Sequence, residues 1–168
     1  MKYKFHHYVT KIVNTDSIPG RDGMCYWVKQ FVEWVDTEGK HHKTPKNIVS
    51  DGLSYPKICW GLQKWLFSLI DGFAHDPAYW LQEYPKKIAD YNIWAGIRTQ
   101  RDYTCSWWRK RKVEFVANVT WTGLRLGGWV AWDRYTEQLD RLGYTAVLEM
   151  HTADTIEKAV GIAQRGFK

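Results

Sequence analysis

Hydrophobic and polar residues alternate in the N-terminal part of the chain, which is the pattern of strands with one buried face. The alternation covers residues 2–13 and is followed by the turn-forming sequence DSIPGRDG at residues 16–23. It returns at residues 26–35, where the spacing also admits a helix. We predict an edge strand, a loop and a second strand, because a hairpin signal follows directly.

That hairpin signal is the sequence DTEGK at residues 36–40, which is typical of a turn between two strands. The sequence HHKTPKNIV then continues as another extended segment. Pro45 should interrupt this segment, because proline cannot donate a hydrogen bond to a neighbouring strand. Together these segments predict a small, twisted antiparallel sheet.

Helical spacing replaces the alternation after Pro56. Apolar residues three and four positions apart predict an amphipathic helix over residues 57–83. They are Ile58, Leu62, Trp65, Leu66, Leu69 and Ile70. Pro85 should break the chain, and a second helix is predicted over residues 86–98. We expect the two helices to form a tight antiparallel pair.

The C-terminal half begins with a strongly basic segment, residues 101–125. We interpret its centre as an edge strand guarded by charge, in which one of two adjacent tryptophans faces outward and the other is core. A helix is predicted over residues 132–142 and a short strand over residues 145–150. Asp154, with an acidic residue three positions later, is a helix-start signature and predicts a final helix to residue 165.

The predicted fold class is α+β, a small antiparallel sheet packed against several helices that include the helical pair. The chain has 168 residues, which is near the size of one domain and sufficient to bury a core without disulfides or metal. We therefore predict a single domain, residues 1–168, in which residues 134–168 form a C-terminal strand and helix extension.

Cysteine content and hydropathy indicate where the protein works. The three cysteines are an odd number without C-x-x-C spacing, which indicates neither a disulfide framework nor a thiolate zinc site. The N-terminus lacks the apolar core of a signal peptide, and no segment approaches the roughly 20 apolar residues that span a bilayer. We expect a cytoplasmic protein without a signal peptide or a transmembrane segment.

Charge and aromatic content predict an anionic partner. The net charge is +6 and the pI is near 9.2, and a basic surface attracts nucleic acid and acidic surfaces alike. The run WWRKRK joins two aromatic rings to four cations, as single-stranded nucleic-acid grooves do. It consists of Trp107, Trp108, Arg109, Lys110, Arg111 and Lys112. Tryptophan and arginine are also favoured anchors of protein interfaces, so a host or phage protein is an alternative partner.

A second candidate site lies in the helical pair. His75 and Asp76 are adjacent and point to different sides of a helix, whereas Tyr79 lies one turn beyond His75 on its face. His75 can act as a base for a water molecule while Asp76 points to a metal ion. Asp90, on the second helix, could then hydrogen-bond the other imidazole nitrogen and fix its tautomer.

Four phrases occur along the chain in a defined order. They are SDGLSYP from residue 50, AHDPAYW from residue 74, IADYNIW from residue 88 and TGLRLGGW from residue 122. They resemble a phage and prophage family of unknown function, whose members read T-D-G-A-S-I-P-R, H-D-x-L-Y, A-D-x-x-F and V-R-x-x-G-W. The resemblance covers residues 26–132, and the chain departs from the family pattern at Ser50, Leu53 and Trp80.

The layout is also similar to that of secreted bacterial phospholipases of the A-two type. They present an Asp-Gly-x-Ser loop, an H-D-x-x-Y helix and an aspartate on a partner helix. By this resemblance, Asp51 and Asp76 would hold Ca²⁺. His75 would activate water, Asp90 would orient His75, and Tyr79 would brace Asp90. The implied reaction is calcium-assisted ester hydrolysis.

The sequence is compatible with three functions. The first is a small phage-type accessory protein with a hydrolase-like His/Asp site. The second is a non-enzymatic protein that binds nucleic acid through the basic tryptophan-rich run, and the third is an inhibitor of a host or defence protein complex. A purely structural role is a further interpretation of the acidic residues, in which Asp51 and Ser54 cap a helix that starts near Pro56.

Overall fold

The computed structural model describes residues 7–8, 14–21, 23–35, 39–51, 69–102 and 106–166. Its strands are β1 (His7–Tyr8), β2 (Thr15–Pro19), β3 (Met24–Val28), β4 (Glu33–Val35), β5 (His41–Lys43) and β6 (Ile48–Ser50). Its helices are α1 (Leu69–Leu81), α2 (Lys86–Asp102), α3 (Trp107–Leu142), α4 (Tyr144–His151) and α5 (Ile156–Arg165). Strands and helices occupy separate parts of the chain, so the predicted α+β class is confirmed.

The strands form two antiparallel sheets of three strands each, in the orders β1-β4-β5 and β2-β3-β6, rather than a single sheet. The predicted hairpin is confirmed, since Glu33 pairs with Lys43 across β4 and β5. The prediction of one strand over residues 26–35 is wrong. Two strands, β3 and β4, form there instead, and Val32 lies between them. The Val32 N–H donates to the Thr44 hydroxyl at 2.8 Å, and the Val32 carbonyl accepts from the Thr44 N–H at 2.9 Å.

Helices α1 and α2 carry the His-Asp pattern and are joined by a short connection at residues 82–85. The predicted break at Pro85 is confirmed, and so is the placement of His75 and Asp76 within a helix. Residues 57–68 of the first predicted helix lie outside the described residues.

Helix α3 is continuous over 36 residues. The predictions of an edge strand in the basic segment and of a separate helix over residues 132–142 are therefore wrong. Val113 and Ala117, one turn apart, pack against Ile93 and Ile97 of α2. This contact favours the helix, whereas the β-branched residues of the same segment favour a strand.

The C-terminal extension contains the end of α3 followed by two further helices, and not the predicted strand and helix. Residues 145–150 lie in α4, where Val147 and His151 are one turn apart and both buried. A short apolar run of this length does not distinguish a strand from a buried helix by its spacing alone.

The final helix, α5, covers the sheet formed by β2, β3 and β6. Its cap is Thr155 rather than Asp154, since the Thr155 hydroxyl accepts from the Lys158 N–H at 3.3 Å. A small core joins the two layers and contains Ile18, Cys25, Trp27, Val49, Ala153, Ala159, Ile162 and Ala163. The Trp27 indole donates to the Ala153 carbonyl at 3.0 Å and fixes the segment that leads into α5.

The main core lies where α1, α3 and α4 meet the strands. Its buried side chains include Val28, Val32, Trp34, Ile48, Phe73, Trp80, Tyr135 and Val147. His151 of α4 stacks on the Trp80 indole at the edge of this core, with ring centroids 4.1 Å apart. None of the described helices is both long and apolar enough to cross a membrane.

The stacked histidine makes the stability of the fold depend on pH. Burial lowers the pKa of His151 from 6.5 to about 4, and the charges of Arg134 and Arg165 act in the same direction. Between these pH values the unfolded chain binds a proton that the folded chain does not. Protonation of the unfolded chain therefore lowers the free energy of unfolding as the pH falls from 6.5 toward 4. Above pH 6.5 His151 is neutral in both states and has no such effect.

His151→Phe keeps the stacked ring and removes the titration. We expect urea unfolding to show a smaller loss of stability between pH 6.5 and about 4 in this variant than in the wild type. Equal losses in the two proteins would mean that His151 does not titrate differently in the folded and unfolded chains.

Candidate active site

Asp90 is the centre of a buried polar cluster that joins α1, α2 and α3. One of its carboxylate oxygens accepts from the Tyr79 hydroxyl of α1 at 2.5 Å. The other accepts from the ammonium of Lys86, one turn earlier in α2, at 2.6 Å. Lys86 also donates to the Leu124 carbonyl of α3 at 2.9 Å. Both charges of the pair are buried, and each is compensated by hydrogen bonds as well as by its opposite charge.

Gly128 allows these side chains to reach the backbone of α3. A Cβ at this position would lie 2.7 Å from the Tyr79 hydroxyl oxygen and 3.0 Å from the Lys86 nitrogen. Any residue larger than glycine would therefore displace the polar cluster. The second glycine of the sequence RLGGW thus has a packing role at the candidate site.

Asp76 connects α1 to the end of β6. Its carboxylate accepts from the Ser50 hydroxyl at 2.5 Å, and the Ser50 side chain is fully buried. Asp51 follows Ser50 directly along the chain. The negative charge of Asp51 acts on His75, and the two residues are therefore close in space.

His75 lies among these carboxylates. Its ring packs against the Tyr79 ring with centroids 4.3 Å apart, and its Nδ1 atom is 3.9 Å from the Asp76 carboxylate. The other ring nitrogen, Nε2, is buried and has no hydrogen-bond partner among the residues that the structure describes. The predicted hydrogen bond between the His75 imidazole and Asp90 is not formed, because the Asp90 carboxylate accepts from Tyr79 and Lys86 instead.

Burial is the main influence on the protonation of His75. It lowers the pKa of His75 to about 4, while the charge of Asp90 raises it, that of Lys86 lowers it and that of Asp51 raises it. The imidazole is therefore neutral at neutral pH. Its 3.9 Å contact with Asp76 is not an ion pair under these conditions.

Burial also raises the pKa values of two neighbouring groups, Asp76 and Tyr79. Burial raises the pKa of Asp76 to about 7, and the hydrogen bond from Ser50 partly offsets this rise. Burial and the hydrogen bond to Asp90 raise the pKa of Tyr79 far above its ordinary value. Tyr79 consequently remains a hydrogen-bond donor at every physiological pH.

The donor set fits the Ca²⁺ that the resemblance implies only in part. Ca²⁺ takes roughly six to eight oxygen ligands, and the described residues supply the carboxylates of Asp51 and Asp76. No three His, Cys, Asp or Glu side chains within the described ranges are placed to hold a metal ion. Burial raises the pKa of Asp76, and a bound cation would restore its ionised form. Residues 52–68, which follow Asp51 along the chain, lie outside the described residues.

The basic tryptophan-rich run lies in the first turns of α3. Trp107 and Trp108 are both exposed and meet edge to face at 4.5 Å, so the prediction that one of them is core is wrong. The Arg111 guanidinium lies over the Trp107 ring, 5.1 Å from its centroid. Binding of nucleic acid or protein by residues 107–112 stays a prediction.

Two members of the cluster, Lys86 and Gly128, are not singled out by the sequence analysis. The spacing of Lys86 and Asp90, one helical turn, is a signal for an ion pair, but lysine is rarely buried and such pairs normally lie on the surface. A glycine inside a helix costs stability relative to alanine and so signals a packing reason, which the contacts at Gly128 supply.

The structure thus brings four predicted site residues, His75, Asp76, Tyr79 and Asp90, into one cluster. Asp51 lies close enough to act on it electrostatically. Comparison of the chain with protein-family models, with curated proteins and with solved structures found no match.

Proposed function

We propose that the chain hydrolyses ester bonds with His75 as the base, as a small phage-type accessory protein in the bacterial cytoplasm. The observation that carries the proposal is the buried Nε2 atom of His75, which has no hydrogen-bond partner among the described residues. A neutral imidazole with such a nitrogen is able to accept a proton. Burial opposes protonation of the ring, whereas the charges of Asp90 and Asp51 favour it.

In the proposed reaction, His75 takes a proton from water while the water oxygen attacks the carbonyl carbon of the ester. The proton then passes to the leaving alkoxide oxygen as the carbon–oxygen bond breaks, and the products are a carboxylic acid and an alcohol. Tyr79 and Lys86 hold Asp90 in place, and the charge of Asp90 stabilises the protonated imidazole. Ca²⁺, when held by Asp51 and Asp76, would supply Lewis-acid polarisation of the ester carbonyl.

His75→Asn should lower kcat/KM for ester hydrolysis by roughly 10²–10⁴-fold, which is the usual contribution of a positioned general base. Initial rates should be measured on short-chain fluorogenic esters and on phospholipid vesicles, each with Ca²⁺ and with a chelator. His151→Phe is the matched control, because it changes another buried histidine whose pKa is also about 4 but which lies outside the cluster. The control should keep the wild-type rate.

Two results would contradict the proposal. One is an equal rate for the wild type and His75→Asn, and the other is a wild-type protein that hydrolyses neither substrate class. Circular dichroism of each variant separates loss of the base from loss of the fold.

Calcium binding requires its own measurement, by titration calorimetry on the wild type and on Asp76→Asn. The wild type should bind Ca²⁺ and the variant should not, because the amide carries no negative charge to hold the ion. Hydrolysis that continues unchanged in the chelator would separate the base from the metal and remove Ca²⁺ from the proposal.

A further inference from the structure

The outer face of α3 carries an apolar stripe, the α3 seam, formed by Phe115, Val119, Leu126 and Val130. Successive members are four, seven and four residues apart, so they share one side of the helix. All four are exposed, and Leu126 and Val130 are 82% and 77% accessible. A contiguous apolar surface of this kind normally marks an interaction site.

The α3 seam lies opposite the face that α3 packs into its own fold. The packed face contains Val113, Ala117, Thr120 and Tyr135. Helix α3 is therefore apolar on two opposite sides, and the described residues of the chain cover only one of them. A helix that is apolar on both sides is typical of one that is buried on both sides.

The seam has the same apolar pattern in both chain directions about the peptide bond that follows Thr122. Val119 and Leu126 are equally far from this point, and so are Phe115 and Val130. Two copies of α3 packed antiparallel about a twofold axis here would place Val119 of one copy against Leu126 of the other. Phe115 would likewise meet Val130, so the surface is complementary to itself.

The charges beyond the apolar positions follow the same symmetry. Lys112 and Asp133 are equally far from the centre of the seam, and both are exposed. An antiparallel pair would bring Lys112 of one copy next to Asp133 of the other, at both ends. A parallel pair would instead bring like charges together. The charge pattern therefore selects a second copy in the antiparallel orientation.

Small residues at the centre of the seam allow two helices to approach closely. Thr122 and Gly123 are both exposed, and a Cβ at Gly123 would contact nothing within 4 Å. Glycine weakens a helix relative to alanine, and no contact among the described residues requires it at this position. A second helix that crosses α3 at this point would account for the glycine.

We propose that the chain forms a homodimer in which two α3 seams pack antiparallel and cross at Thr122 and Gly123. Lys112 and Asp133 pair between the copies at both ends of the contact. Because each copy contributes the same surface, the contact closes a dimer and does not propagate into a filament.

Sedimentation equilibrium in the micromolar range should find the wild type dimeric. Leu126→Glu should raise the dissociation constant by roughly a hundredfold or more, because it replaces two buried leucines per dimer with charges. Ile156→Glu is the matched control, since Ile156 of α5 is an apolar side chain that is 48% exposed outside the seam. The control should leave the dissociation constant unchanged, and circular dichroism should find both variants folded.

The orientation is tested by exchanging the charges at the ends of the seam. Lys112→Glu and Asp133→Lys should each weaken the dimer about tenfold, because each creates two like-charged pairs between the copies. The variant with both changes should regain the wild-type affinity, since the two pairs form again with their signs exchanged.

A wild-type chain that stays monomeric, or a dimer insensitive to Leu126→Glu, would overturn the proposal. Salt-sensitive binding of an oligonucleotide by a monomer, lost in Trp108→Ala and Lys112→Ala, would also overturn it and assign this part of α3 to nucleic acid. A double charge exchange that fails to restore affinity would overturn the antiparallel arrangement.

Discussion

Asp90→Ala should destabilise the folded chain by about 3–5 kcal/mol, because it leaves the Lys86 ammonium buried without its carboxylate. Asp90 is 0% exposed and Lys86 is 3% exposed, so water cannot replace the lost partner without a rearrangement. The Tyr79 hydroxyl loses its acceptor in the same variant. The loss should appear in urea unfolding as a lower midpoint with an unchanged slope.

Glu114→Ala is the matched control for this prediction. It removes a different ion pair, one that joins α2 to α3, in which Arg98 and Glu114 approach to 3.0 Å with side chains that are 21% and 31% exposed. Because the pair is partly exposed, it contributes about 1 kcal/mol or less to the free energy of unfolding. Equal losses in Asp90→Ala and Glu114→Ala would show that the Lys86 ammonium reaches water.

The double variant Lys86→Met, Asp90→Leu separates the cost of an unpaired charge from the value of the pair itself. Apolar residues of similar volume commonly replace a buried ion pair without loss of stability. We therefore expect most of the stability lost in Asp90→Ala to return. A deficit of about 1–3 kcal/mol should remain, because the Tyr79 hydroxyl still lacks its acceptor.

The sequence predicts the helical pair well because the signals for it are local. Pro85 separates the two helices, since α1 ends at Leu81 and α2 begins at Lys86. Helix α3 is not predicted as one unit, since its β-branched residues match a strand and only the contact of Val113 and Ala117 with α2 favours the helix. The division into two sheets depends on the long-range bonds between Val32 and Thr44, which no local pattern specifies.

The candidate site is predictable to the extent that its residues follow helical spacing. His75, Asp76 and Tyr79 occupy one turn of a helix, so their relative positions follow from the sequence. The sequence does not predict the acceptor of the Tyr79 hydroxyl or the partners of Asp90, because these contacts depend on how α1, α2 and α3 pack. Lys86 competes for Asp90, and the bond expected between Asp90 and the histidine is replaced as a result.

Gly128→Ala should destabilise the chain by about 1–3 kcal/mol, although alanine is the better helix former. Its Cβ would lie 2.7 Å from the Tyr79 hydroxyl oxygen and 3.0 Å from the Lys86 nitrogen. Both atoms lie at the ends of flexible side chains, which would move at little cost if they were not held by other contacts. Here they are fixed by hydrogen bonds of 2.5 Å and 2.6 Å to Asp90, so the added methyl group must break or stretch these bonds.

The adjacent glycine provides the control, because a Cβ at Gly127 would contact nothing within 4 Å. Gly127→Ala should stabilise the chain by up to about 1 kcal/mol, the difference in helix propensity. The two alanine variants therefore have the same composition and opposite expected signs in urea unfolding. Equal effects would mean that the cluster does not press against the backbone of α3.

A double-mutant cycle identifies the atom responsible for the loss. Tyr79→Phe removes the hydroxyl oxygen that is nearest to the added methyl group, so Gly128→Ala should cost less in that background than in the wild type. The same background should leave the effect of Gly127→Ala unchanged. If Gly128→Ala costs as much without the hydroxyl as with it, the Lys86 ammonium at 3.0 Å sets the limit on the size of residue 128.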